Sequence, residues 1–585
     1  MTIAGANQVG ERRRRIGERA LAVGLIVLAL AAFVAQVFHL GWLRLQPRYD
    51  EVHYLSVARD YHRMGGVAAA IGCHFAGLCQ EDNRYPIFEF LLQGFARDAP
   101  AFYADAKLVT LGTALLLFVV SFWLARRRFS PRHAVATVVV LALLPTLGEV
   151  SSGVLADLLF SVVFLLTVAA IGACQPRRWP AWLGTGCAIG IAYLTKGNGH
   201  LLFLALLSVG LALHGARLFR TPGPYVAWIG FAVTASFLLV RNLKMFGTPF
   251  HNFNDRSLWL DGWDETWRLM RTPEWTTVGL RYYLHHHSAW RLGWRLLRGL
   301  GQALGVLLYT AGPGITAATP IHLLPTTAAV IARVATGIGV MSLAVLGLVA
   351  CHRSGRRAEV LAVVFGCGWP IAAFALGGQG VGGVATRFML PLVAILVPYA
   401  IHGLLTVAIP YLASRWSRPQ THLVAVAAGV GAAALAVKLV WFAPALAHDP
   451  RRAVAVPPNW AETSAWFAAH LRPGERYAFP SGSLYSTFDR PEPDPDARWI
   501  YTYRVPADEM RRALEEAQVL TLEPRWDGPP RPITKIFVDR DDKTFASYRD
   551  KLSSESDEQG PRTFLGWPRC FADGGQPSRF LVYCR

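Results

Sequence analysis

An α-helical polytopic membrane protein of about eleven transmembrane helices, with a small α/β domain outside the membrane at its C terminus, is the fold class this 585-residue sequence predicts. Three observations carry the prediction. Hydrophobic residues make up 53% of the chain and charged residues only 17%, where a soluble domain carries about 25% charged residues. Eleven apolar stretches recur along the chain, most of them as long as a bilayer-spanning helix needs. The basic residues gather in alternate loops between those stretches. The same figures exclude disorder, a collagen and a disulfide-rich toxin.

The stretches run Ala20–Leu43, Leu108–Ala125, Ala134–Gly148, Leu158–Cys174, Ala181–Thr195, Gly199–Ala216, Thr221–Val240, Val334–Cys351, Val360–Gly377, Phe388–Ala413 and Thr421–Ala447. Only the last holds a charge, Lys438. No small-residue cleavage site follows the first, so it reads as a retained helix and not as a signal peptide. Leu300–Ile321 is also uncharged and long enough to span. It contains Gly312-Pro313-Gly314 and Pro320, and spanning would reverse the side of every later loop. It therefore reads as re-entrant or interfacial.

The loop arginines are Arg12 to Arg15 with Arg19, Arg126 to Arg128 with Arg132, Arg177 and Arg178, Arg217 and Arg220, Arg353, Arg356 and Arg357, and Arg415 and Arg418. These 18 arginines face three acids, Glu11, Glu18 and Glu359, so the loops supply +15 of the +19 net charge. The positive-inside rule places them in the cytoplasm, with the N terminus inside and the C terminus outside. The basic balance is thus a topology signal, and nucleic acid is not an expected partner. The chain divides into a cytoplasmic basic segment 1–19, a transmembrane domain 20–447 with large outer loops 44–107 and 241–333, and an extracytoplasmic domain 448–585. The protein is expected in the cell (inner or plasma) membrane.

In the last domain, Trp460–Leu471 and Pro506–Gln518 read as helices, and Arg498–Val505, Ile533–Val538 and Phe580–Cys584 as strands. Cys174, Cys187, Cys351 and Cys367 lie in or at the ends of apolar stretches, where a thiol behaves as a small apolar group. Cys73 and Cys79 share the first outer loop, and Cys570 and Cys584 share the C-terminal tail. Facing an oxidising compartment, each pair suits a disulfide; free thiols are the alternative. No metal-type Cys-x-x-Cys and no Walker A sequence occurs.

Polar residues at the outer ends of the stretches are the candidate chemistry. Asp50 and Glu51 follow the first helix, Glu149 and Asp157 bracket the turn after the third, Lys196 follows the fifth, Arg241 ends the seventh and Arg387 opens the tenth. Carboxylates and cations gathered on one leaflet suit a reaction between an anionic lipid headgroup and an acceptor from outside: cations hold a phosphate, and a carboxylate takes a proton. The structural alternative is that each marks the interface or, for Asp50 and Glu51, completes a helix N-terminus. His285-His286-His287 sits beside Tyr282, Tyr283 and Trp290 and reads as part of an interfacial aromatic belt before it reads as a metal site.

These residues carry a resemblance. Tyr49-Asp50-Glu51-Val52-His53-Tyr54 resembles the first-loop acidic motif of GT-C glycosyltransferases, the superfamily of protein O-mannosyltransferases and lipid A aminoarabinose transferases. Asn83-Arg84-Tyr85-Pro86 is similar to its polar-proline element, Ser152 to Asp157 to its second carboxylate site, and Leu194-Thr195-Lys196-Gly197 to its lysine turn. Arg241 to Phe250 and Arg387-Phe388-Met389-Leu390-Pro391 resemble its two later arginine elements. All six occur in order, over roughly residues 20 to 415. The pattern departs at Ile87, where a second proline is common, at Gly197-Asn198, where Gly-Pro is common, and in the Cys73/Cys79 insertion.

The resemblance implies a GT-C-like fold and an inverting transfer of a sugar from a polyprenyl-phosphate donor to a hydroxyl of a lipid, glycan or protein in the cell envelope. Asp50 would be the general base, with Glu51 and Asp157 orienting the acceptor or tuning it. Arg84, Tyr85, Lys196, Arg241 and Arg387 would bind substrate, the cations holding the phosphate. Some GT-C enzymes use a divalent metal and others do not, so the resemblance leaves a divalent metal open; no metal ligand is assigned. The alternatives are a secondary transporter, against which stand nearly charge-free helix interiors and no internal repeat, and a non-enzymatic envelope assembly protein, which has no need of the gathered charges.

Overall fold

The computed structural model describes residues 3–41, 50–79, 85–97, 101–174, 178–252, 273–314, 326–377 and 386–447, and parts of 256–269. In the C-terminal region it describes parts of 462–470, then 476–479, 500–501, 533–539, 556–557, 560–564, 567–572 and 580–584. Helix α1 (Ile3–Gly41) precedes three short helices of the first large loop, α2 (Asp50–Arg63), α3 (Val67–Ala76) and α4 (Pro86–Gln93). Then come α5 (Ala101–Arg128), α6 (Pro131–Ala142), α7 (Pro145–Ser151), α8 (Asp157–Ala173), α9 (Trp179–Thr195), α10 (Leu201–His214) and α11 (Gly223–Phe246). The second large loop holds α12 (Leu280–His286) and α13 (Ala289–Ala311). The helical part closes with α14 (Thr326–Arg353), α15 (Arg357–Gly377), α16 (Thr386–Gly403), α17 (Ile409–Arg415) and α18 (Gln420–Phe442).

The protein is a multi-pass helical membrane protein. Among the described residues, eight helical stretches are long and apolar enough to cross a membrane, nine if the bent pair α6–α7 is one span. Two further helices that the sequence counts as spanning, α8 and α9, have 17 residues each. α1 starts well before Ala20, so the basic segment is part of the same helix.

The break between α6 and α7 bends the chain by 68°. Pro145 lacks an N–H and its ring excludes the carbonyl one turn back, so the helix cannot continue through it. The freed carbonyls need donors away from water. Lys438 Nζ donates to Ala142 O at 2.5 Å, and the Gly314 N–H donates to Leu143 O at 2.9 Å. The lone lysine of the last apolar stretch thus caps a broken helix.

Helices α9 and α11 pack closely, because Gly186 and Gly190 leave their face bare: a Cβ on Gly186 would strike Ala227 O, and one on Gly190 would reach Thr234 Cβ at 2.7 Å. Small residues four apart allow this approach in a membrane, where dispersion and not water drives association. α16 is the most enclosed of the spans.

The segment left between re-entrant and interfacial begins earlier than its apolar run. α13 is amphipathic and buries Arg295, Gly299, Ala303 and Leu307 along one i, i+4 row against α14, α15 and α16. It is not among the eight spans; residues 315–325 lie outside the described set.

At the C-terminal end, six strands form one sheet in the order β2-β1-β3-β8-β7-β6: β1 (Arg476–Phe479), β2 (Ile500–Tyr501), β3 (Ile533–Asp539), β6 (Thr563–Phe564), β7 (Trp567–Ala572) and β8 (Phe580–Cys584). β4 (Ser556–Asp557) pairs with β5 (Gly560–Pro561) separately. β1 and β3 are parallel, whereas β8 is antiparallel to β3 and β7. β1 and β7 have no clear alternating signal and go unread in the sequence. The helix expected over Pro506–Gln518 falls outside the described residues.

Candidate functional site

One end of the helical bundle collects the C terminus of α1, the N termini of α2, α5 and α16, the α7–α8 junction and the α9–α10 turn. Asp50 opens α2, where a carboxylate is favoured by the helix dipole. Its Oδ2 accepts a hydrogen bond from Arg387 Nη2 at 2.5 Å. Arg387 stands in the first turn of α16. Asp157 opens α8 and is buried; Lys196 Nζ donates to its Oδ1. Lys196 follows the last residue of α9, in the turn before the 3-10 segment Gly197–His200. The two ion pairs share one field, since the charge of Lys196 is felt together with those of Asp157, Arg387 and Asp50.

Burial pushes the Lys196 ammonium below the ordinary lysine range, the Asp157 carboxylate opposing that shift and Arg387 adding to it. Two cations and two carboxylates therefore compensate one another in a weakly hydrated place.

Glu51 lies behind this array. It is buried, accepting from the Val154 N–H at 2.9 Å through Oε1 and from the Tyr103 hydroxyl at 3.2 Å through Oε2. Those bonds tie α2 to the segment leading into Asp157 and to α5. Lys107 Nζ adds a further tie, donating to Gly41 O at 2.8 Å at the end of α1. Adjacent acids on one helix turn thus face different neighbours: Asp50 the cations, Glu51 the scaffold.

Tyr85 caps α4 and packs its ring against Tyr193 at 5.3 Å, edge to face. A Cβ on Gly197 would meet Tyr85 Oη at 2.5 Å, so only glycine lets the lysine turn pass beneath that ring. Arg241 is buried near the C terminus of α11 and donates from Nε and Nη2 to Asn242 Oδ1 at 3.0 and 2.6 Å. Asn242 in turn donates to Pro249 O and His251 O, shaping the start of the second large loop. Arg84 lies outside the described residues.

Phe388 was not singled out in the sequence although it directly follows Arg387. Its ring centroid lies 4.4 Å from Lys196 Nζ and 5.0 Å from Arg387 Cζ, and its face stacks on Phe374 at 5.6 Å. Phe388, Phe374, Phe160, Phe164 and Pro391 line a narrow cleft together with Lys196 and Asn198. The signal in the sequence was an aromatic beside the arginine; which face it would present depended on the packing of α15 and α16.

The structure joins Cys73 to Cys79 and Cys570 to Cys584 as disulfides, with Cα atoms 5.5 and 5.8 Å apart. Among the described residues no group of three or more His, Cys, Asp or Glu is placed to hold a metal ion. His287 Nε2 lies 3.2 Å from Asp261, and the rings of His286 and His287 pack on Tyr282 and Tyr283.

Residues 103–240 match the family model described as dolichyl-phosphate-mannose-protein mannosyltransferase. The chain is also similar in structure to ArnT from Cupriavidus metallidurans bound to undecaprenyl phosphate, at 15% identity, 97% coverage of this chain, 98% of that chain and a TM-score of 0.50. The fold is GT-C. The archaeal oligosaccharyltransferase AglB from Archaeoglobus fulgidus, in complex with an inhibitory peptide and a dolichol-phosphate, is 13% identical over 89% of this chain and 70% of its own, with a TM-score of 0.47. No curated protein matches the chain in sequence. Within this GT-C fold the first-loop acids, the second carboxylate, the lysine turn and the α16 arginine stand at one end of the bundle.

Proposed function

We propose that the protein is a membrane glycosyltransferase that moves a sugar from a polyprenyl-phosphate donor to an acceptor hydroxyl on a lipid, glycan or protein, at the outer face of the cell membrane. The observation that carries the reading is the paired array Asp50–Arg387 and Asp157–Lys196, of which Lys196 also lines an apolar cleft. Its cations suit a phosphate, and its cleft suits the chain attached to that phosphate. The similar ArnT structure holds undecaprenyl phosphate, and the matching family model is described by a dolichyl-phosphate sugar.

In this mechanism the donor phosphate enters between Lys196 and Arg387, with Arg84 and Arg241 as further phosphate partners and Tyr85 bracing the Lys196 turn. A phosphate drawing on Arg387 competes with Asp50 for the guanidinium and leaves an Asp50 oxygen able to accept the proton of the acceptor hydroxyl. The acceptor oxygen bonds to the anomeric carbon as the bond from that carbon to the phosphate oxygen breaks on the opposite face, so the configuration inverts. The lipid phosphate departs as an anion held by the cations, and no general acid is needed. Asp157 keeps Lys196 in place, and Glu51 holds the α2 N terminus so that Asp50 faces the acceptor. The positive-inside rule supports a cytoplasmic position for the basic loops, and so an outward-facing site.

The experiment is an in vitro transfer assay on the purified protein in lipid, with a panel of polyprenyl-phosphate sugars and envelope acceptors. The expected result is release of polyprenyl phosphate matched by glycosylated acceptor, lost in Asp50→Asn. Transfer at the wild-type rate in Asp50→Asn would remove the base assignment. A protein that transports a solute but transfers no sugar would be a transporter instead.

A further inference from the structure

We propose that Phe388 is a positioning and specificity residue of the donor site: one ring braces both phosphate-binding cations and, with Phe374, forms the wall that receives the first isoprenoid unit of the lipid. This rests on the reading of the protein as polyprenyl-phosphate-dependent.

Lys196 and Arg387 carry like charge and act on each other unfavourably. The two carboxylates offset that repulsion but are themselves to be displaced when a phosphate binds. Phe388 offers a contact that phosphate does not displace. The negative face of an aromatic ring attracts a cation within about 6 Å of its centroid, the more so where water is scarce. Both cations meet that distance, at 4.4 and 5.0 Å. The ring cannot turn away freely, because it stacks on Phe374 with an interplanar angle of 8°. Pro391, three residues on in the same helix, lines the same cleft.

The second half of the argument is about where the polar site ends. In a polyprenyl phosphate the first apolar carbon is bonded directly to a phosphate oxygen, so an apolar wall has to begin within one side chain of the cations. Phe388 borders both: its ring lies near the two cations and lines the cleft with Phe160, Phe164 and Phe374. A nucleotide sugar carries a polar ribose at that point and gains nothing from the wall. Phe388 therefore favours lipid-linked over nucleotide-linked donors.

The test measures binding to the full-length protein in nanodiscs, with decaprenyl phosphate, farnesyl phosphate and inorganic phosphate as probes. Phe388→Met keeps apolar volume without a π face, and Phe388→Tyr keeps the face. Decaprenyl phosphate should bind wild type and Phe388→Tyr alike, and Phe388→Met about tenfold more weakly, as expected for loss of two partly desolvated cation–π contacts. Phe388→Met combined with Lys196→Met should lose clearly less affinity than the two single losses added together, because part of the ring's effect acts through that cation. Where Phe388→Met lowers the melting temperature, this double-variant cycle decides, since a general packing defect adds in full to the loss of Lys196 and bracing does not. Wild-type affinity in Phe388→Met, or full additivity in the cycle, overturns the proposal and leaves the donor reading standing. Failure of wild type to bind decaprenyl phosphate more tightly than inorganic phosphate overturns the donor reading itself.

Discussion

Arg387 donates from Nη2 to Asp50 Oδ2 at 2.5 Å, across 337 positions of sequence. The contact joins the first turn of α16, the most enclosed span, to the N terminus of a short loop helix. A carboxylate proposed to take a proton is thereby held by a cation proposed to take a phosphate. Substitutions at the two ends should separate these roles. Asp50→Asn removes the proton acceptor and should lower turnover by about 10²–10⁴-fold, the usual worth of general base catalysis, with polyprenyl phosphate affinity close to wild type. Arg387→Gln should weaken polyprenyl phosphate binding together with the rate. Equal loss of melting temperature in both, with no selective loss of activity, would mean that the pair is only a structural tie.

The Asp157–Lys196 pair is more buried than Asp50–Arg387. Removing one partner of a buried pair strands the other charge, at a cost of about 3–5 kcal/mol. Asp157→Asn should therefore reduce thermal stability strongly. The double variant Asp157→Asn with Lys196→Met should recover most of that stability, yet bind polyprenyl phosphate more weakly than wild type. Thermal unfolding in detergent and a binding assay read the two outcomes; recovery of both binding and stability would take Lys196 out of the donor site.

Burial lowers the Lys196 pKa, so the ammonium loses its proton at a lower pH than the ordinary lysine value of about 10.4. The charged form binds phosphate, so affinity is complete below the lowered value and falls as pH rises through it. In Lys196→Arg the cation stays charged and the alkaline fall should disappear. Binding of decaprenyl phosphate from neutral pH to about pH 10 measures this. The same alkaline slope in Lys196→Arg would place the titrating group elsewhere.

Two disulfides leave four cysteines free, Cys174, Cys187, Cys351 and Cys367. Alkylation of the denatured, unreduced protein should label those four, and prior reduction should raise the number to all eight. Six or eight labels without reduction would show that one or both bridges do not form.

A reporter fused after Arg418 should be cytoplasmic and one fused after Arg585 external, because the basic loops alternate. A cytoplasmic C terminus would require α13 and the residues after it to cross the membrane, reversing every later loop.

Length and apolarity alone marked where the helices lie, because in a bilayer any long uncharged stretch must satisfy its backbone within itself, and a helix does so without help from the rest of the chain. Asp50, Asp157, Lys196 and Arg387 were legible for a related reason: an ionisable residue at the edge of an apolar helix is costly and stands out against charge-free neighbours. Their partners were not legible. Nothing in Asp50-Glu51 distinguishes the acid that meets Arg387 from the one that meets Tyr103 and the Val154 N–H. Neighbouring residues of a helix turn point about 100° apart, and only the surrounding helices decide what each one meets. The amphipathic course of α13 was hidden because its arginines precede the apolar run that drew attention, and Arg295 is buried through carbonyls of Leu258, Leu260 and Leu376 brought in from distant segments. Phe388 took its role from packing between α15 and α16, which places a ring that reads as ordinary lipid-facing hydrophobe against two cations. Composition and periodicity determined that this chain crosses a membrane and gathers charge at one end; which charges pair, and which ring lies against them, depended on contacts between separate helices, 39 residues apart for Asp157–Lys196 and 337 for Asp50–Arg387, that only close packing of the bundle creates.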